Sequence, residues 1–118
     1  MSTDYSKMSD FEINKLVALA SGKNIKFISV DADDNEIGVI VGEKCTRQRL
    51  PFDPCNNPED AWPIIIENHI AVVPYQHTLP QSWPTAFGLV SKFTTEDRKP
   101  LRAAMITFLK MQESKNAS

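Results

Sequence analysis

The sequence predicts an α+β fold: a small antiparallel sheet of about four strands with three helices packed against it. Three observations predict it. Apolar residues recur at helical spacing near both ends, two segments between residues 26 and 42 alternate with period two, and the connections carry turn formers at hairpin spacing rather than long crossovers.

The elements follow in order. Ser9-Asp10-Phe11-Glu12 is a capping box, in which the Ser9 hydroxyl accepts from the Glu12 amide and the Glu12 carboxylate reaches back. Ile13, Leu16, Val17 and Ala20 then recur at helical spacing and Gly22 supplies a left-handed stop, so the first helix spans Asp10 to about Ser21. The period changes to two in Lys26–Asp31 and Glu36–Gly42, with the turn cluster Asp33-Asp34-Asn35 between them, which predicts a β-hairpin. A loop rich in arginine and proline is expected from Glu43 to Asn56. Asn57-Pro58-Glu59-Asp60 opens a second helix, with an N-cap, a proline at the first helical position and two carboxylates at the positive end. That helix reaches Asn68, with a kink expected at Trp62 because Pro63 removes a bond to the Glu59 carbonyl. Ile70, Val72 and Val73 suggest a third strand, Tyr75 to Trp83 is rich in turn formers, and Ala86 to Phe93 suggests a fourth strand. Pro100 begins a last helix carrying the stripe Leu101, Ala104, Met105, Phe108 and Met111, with a polar tail after Glu113. One domain over residues 1–118 is expected, fraying at about 1–8 and 114–118.

Composition narrows the function. Thirteen basic and fifteen acidic residues give a net charge of −2, which argues against a dedicated phosphate-backbone binder. The N-terminal ten residues lack the apolar core of a signal peptide, and no apolar run is long enough to cross a bilayer. Cys45 and Cys55 then read as reduced thiols in a cytoplasmic chain. Cys45, Cys55, His69 and His77 make a Cys₂His₂ set on paper, but their gaps are wider than zinc knuckles use; no metal or cofactor is expected. No phosphate loop, His-Glu-x-x-His or Gly-x-Ser-x-Gly pattern is present, and no catalytic residues are assigned.

The most distinctive stretch runs from Asp53 to Pro63. Its turn formers, thiol and amides precede a helix N-terminus, where N–H groups can hold an anion or lower a thiol pKa. Asp53, Cys55, Asn56, Asn57, Asp60 and Trp62 are therefore the candidate binding residues, with Arg102 as an ionic partner. Each also has a complete local role: Asn57 and Asp60 as capping residues, Asp53-Pro54 as a turn, Cys55 as a small buried apolar group. A nucleophilic Cys55 needs a base, and His69 at the far end of the second helix stands about 16 Å from its start. Lys44 to Arg49, together with Arg98, Lys99 and Arg102 and the rings of Trp62, Trp83 and Phe87, forms the alternative of a nucleic-acid surface. The broad apolar face of the last helix offers a further alternative, packing against a second copy.

Three blocks resemble the NinX-like phage proteins. They are Asp4 to Lys15, Phe52 to Ile65, and Pro100 to Gln112, in that order across nearly the whole chain. The central block and Leu101-Arg102-Ala103-Ala104 carry the resemblance most specifically. Lys99 departs from it, standing where an Asn cap fits the family's pattern, and Val72 to Lys92 matches weakly. The resemblance implies an accessory protein of a tailed phage or prophage in the bacterial host cytoplasm, and it brings no catalytic residues with it. With catalytic and metal constellations missing, the expected function is a non-enzymatic binding or regulatory module that contacts a host or phage protein.

Overall fold

The computed structural model describes residues 4–42, 50–86 and 92–117. Helix α1 spans Asp10–Ala20. Its start is fixed by the Ser9 hydroxyl, which accepts from the Glu12 amide at 3.1 Å. Its end is a Schellman motif: the Lys23 amide donates to the Ala18 carbonyl at 2.9 Å and the Gly22 amide to Leu19 at 3.3 Å. Gly22 adopts the left-handed φ of +77° that this closure requires. The buried face holds Ile13, Asn14, Val17 and Ala18, so the helix is turned from the expected stripe and carries a polar residue inward.

The hairpin forms as expected from β1 (Ile25–Val30) and β2 (Glu36–Val41). One Asp31 carboxylate oxygen accepts from the Asp33 and Asn35 amides at 2.9 and 3.0 Å and so pins the turn. The loop expected from 43 to 56 ends differently. Strand β3 (Leu50–Phe52) pairs antiparallel with β2, setting Val39 opposite Phe52. Pro51 is tolerated there because β3 is an edge strand. The basic segment Lys44–Arg49 lies outside the described residues.

Helix α2 (Pro58–Glu67) runs on through Pro63 and is followed by β4 (Ile70–Val73), with His69 between them at a left-handed φ of 53°. Strand β5 (Gln81–Pro84) overlaps the end of the Tyr75–Trp83 stretch expected as turn, and β6 (Thr95–Glu96) follows. The inward positions of β5 are Ser82 and Pro84, neither a usual core residue, which is why its alternation is hard to see. The strand expected over Ala86–Phe93 falls mostly outside the described residues, and its described ends are turns. The described strands thus form two three-stranded antiparallel sheets, in orders β1-β2-β3 and β4-β5-β6, rather than one sheet of about four. The α+β class holds.

Helix α3 (Pro100–Ala117) extends past Glu113, and Glu113 accepts from the Tyr5 hydroxyl at 2.6 Å. It contacts α1, α2 and all three strands of the second sheet, while α1 carries the first sheet through β2. Residues 102 to 109 are consecutively buried, so the predicted single stripe is a helix enclosed on every side. Ala103 and Ala104 let neighbours approach closely, and the Thr107 hydroxyl is satisfied by the Ser82 and Phe93 carbonyls and by Thr95.

Candidate functional site

The three sequence blocks meet at one polar junction between the starts of α1, α2 and α3. Its base is Arg102, on the first turn of α3 and 7% exposed. Nη1 donates to Asp10 at 2.7 Å and Nε to Asp97 at 3.0 Å. Nη2 donates to the carbonyls of Met8 and Tyr5, the latter at 3.2 Å. The guanidinium thus ties the segment before α1 to the start of α3. Burial works against its charge, and the two carboxylates outweigh that, leaving its pKa raised.

Asp10 passes the network on. Its second oxygen accepts from Lys99 Nζ and from Asn56 Nδ2, the latter at 3.2 Å, and the Asn56 carbonyl accepts from Lys99 Nζ at 2.8 Å. Burial alone would raise the Asp10 carboxyl, but hydrogen bonds from Lys99, Asn56 and Arg102 hold it below its ordinary value of 3.8. A lowered folded-state pKa means that this stabilisation is present above the ordinary carboxylate value and is lost as pH falls through the folded value. The stability advantage of the native chain over Asp10→Asn is therefore expected to shrink as pH drops below 3.8, checked by urea unfolding at a series of acid pH values.

The second layer belongs to Asp53. It accepts from Asn14 Nδ2 at 2.7 Å and from Asn56 Nδ2 at 3.1 Å. Asn14, 6% exposed, also receives the Cys55 amide on its Oδ1 at 3.1 Å. Asn57 caps α2 as expected, accepting from the Glu59 amide at 3.0 Å. The Asp60 carboxylate does not complete a capping box; it turns aside to accept from the Asp53 amide at 3.0 Å, while the Asn57 amide is taken by the Asp53 carbonyl at 2.8 Å. Proline at the first position, the cap on Glu59 and the Asn57 carbonyl on the Asp60 and Ala61 amides consume the donors an anion would need.

Cys55 is 1% exposed. Its thiol is pushed up to about 12, first by burial and then by the Asp10 carboxylate, with Arg102 offsetting only part. The helix start does not make a thiolate here, because the buried side chain faces neighbouring carboxylates. Alkylation at pH 8 is expected to be slow in the folded protein and rapid in denaturant, measured by mass in a Cys45→Ser background.

The junction sorts the sequence candidates. Cys55 and Arg102 are buried, Asp53 and Asp60 are half-buried and bonded inward, and Asn56 and Asn57 are exposed but engaged in the scaffold. Arg102 is buried rather than a surface ionic partner, and it and Lys99 pair with carboxylates of this chain, while Arg98, the third basic residue of that group, is exposed. The α3 stripe offered for packing against a second copy lies in the core. Trp62 alone among the candidates points out with a large apolar side chain, 59% exposed.

Asp10, Asn14, Asp97 and Lys99 join the network unforeseen. The usable signal was the i, i+4 pair Asp10 and Asn14, which shares its helix face with Ile13 and Val17. Among the described residues no three His, Cys, Asp or Glu side chains are grouped to hold a metal, and no helix is long and apolar enough to cross a membrane.

A search of curated proteins gives no match. The family model for NinX of bacteriophage P22 matches residues 4–112, a span that takes in all three segments meeting at the junction. The chain belongs to that phage family.

Proposed function

We propose that the chain is a non-enzymatic binding module of a phage or prophage, folded as one domain and contacting a host or phage protein in the host cytoplasm. The observation that carries this reading is Trp62, 59% exposed on a helix whose preceding residue pair is tied through Asn56 to Asp10 and Lys99. A large aromatic left in water on a rigid element is characteristic of interface anchors. Burial of Cys55, which pushes its thiol up to about 12, weighs against the enzyme reading that uses it as a nucleophile.

Affinity capture of the tagged protein from infected-host lysate, beside Trp62→Ala, tests it. A stoichiometric protein is expected with the native chain. The variant should lose it, since truncating an aromatic anchor costs about 2 kcal/mol or more, roughly thirtyfold in affinity. Equal retention of the same protein by both chains would refute the role of Trp62, and no stoichiometric protein at all would refute the binding module.

A further inference from the structure

We infer that the outer face of α2 docks a protein surface complementary to its own, an apolar pocket ringed by lysine or arginine. The inference rests on the binding reading above and adds the chemistry of the partner. Glu59, Trp62, Pro63 and Ile66 follow one another at i, i+3, i+4 and i+7, and all four are exposed. Ile66 is 54% exposed one turn beyond Trp62, and exposed Glu67 closes the stripe. On the opposite side Ala61, Ile64 and Ile65 are buried, so α2 cannot roll to hide its apolar stripe without emptying the core.

Charge selects the occupant. All thirteen lysines and arginines lie within residues 1–49 or 92–118, and none lies in the forty-two residues from 50 to 91. That segment carries Asp53, Glu59, Asp60 and Glu67. Asp53 and Asp60 are bonded inward, which leaves Glu59 and Glu67 at the two ends of the apolar stripe. A second copy docked on this face would set Glu against Glu with no cation on either helix to offset them, and a phosphate backbone would be repelled in the same way. A cationic rim around an apolar pocket satisfies both the stripe and its ends.

The test is photo-crosslinking of the full tagged chain bearing Ile66→p-benzoylphenylalanine, in infected-host lysate and alone, at about 0.05 and 0.5 M salt. Urea unfolding verifies that each variant is folded. The expected result is an adduct with a different protein, at a segment of apolar residues flanked by lysine or arginine when read by mass spectrometry. Glu59→Gln/Glu67→Gln should lower its yield by about twofold to thirtyfold, and high salt should do the same. An adduct lost in Trp62→Ala but indifferent to salt and to the glutamine pair overturns the cationic partner while leaving the binding reading intact. An adduct with a second copy, or none with any protein, overturns the inference outright; in the latter case the capture experiment separately decides whether the chain binds through another surface.

Discussion

Replacing Arg102 by methionine is expected to destabilise the protein by about 3–5 kcal/mol, the range seen when one member of a buried ion pair is removed. A methionine of similar length fills the space, but Asp10 and Asp97 lose their buried cation and the Met8 and Tyr5 carbonyls lose a donor. Against a total stability on the order of 5–15 kcal/mol that loss is large. Arg102→Lys should recover only part of it, because one ammonium cannot span two carboxylates and two carbonyls as the planar guanidinium does. Urea unfolding at neutral pH measures both variants. A loss below about 1 kcal/mol would mean that Arg102 behaves as an exposed ionic group rather than as the base of the junction.

The second large effect is expected at the middle of α3. Met105 is 0% exposed, within a helix surrounded by α1, α2 and the second sheet. Met105→Ala should cost about 2–5 kcal/mol through lost burial and the cavity left behind. Because α3 touches most of the other elements, unfolding should stay a single transition followed equally by fluorescence and far-UV circular dichroism. Separate transitions by the two probes would show that the two sheets are not held together by this helix.

The helix starts and the hairpin were legible because their signals are local. Ser9, Asn57 and Gly22 act within a few residues, and period two in residues 26–42 suffices for β1 and β2. Strands β3 and β5 do not show in the sequence because their identity comes from pairing: each holds a proline and too few apolar positions to mark a strand until β2 and β4 are beside them. The junction was half legible. The Asp53–Asp60 segment stood out by composition, yet its bonds to Asp10 and Asn14 cross about forty residues of chain, a separation no local rule reaches. Asp60 shows the cost of reading locally, since the capping pattern is satisfied on paper while the carboxylate serves the Asp53 amide. Arg102 shows the converse: a charge at a helix start suggested a surface role, and burial reversed it.

On the proposed reading, Phe52 to Ile65 divides into an inward scaffold, bonded through Asp53, Asn56 and Asp60, and one outward anchor, Trp62. The most direct test pairs urea unfolding with affinity capture for Trp62→Ala and for Asn14→Ala. Trp62→Ala should change stability by no more than about 1 kcal/mol and abolish capture, because its side chain is mostly in water. Asn14→Ala should lower stability by about 1–3 kcal/mol by leaving the Cys55 amide without its partner, and should keep capture wherever the chain is folded. The reverse pattern, with capture surviving loss of Trp62 or failing in the folded Asn14 variant, would contradict the claim and place the binding surface in the junction itself.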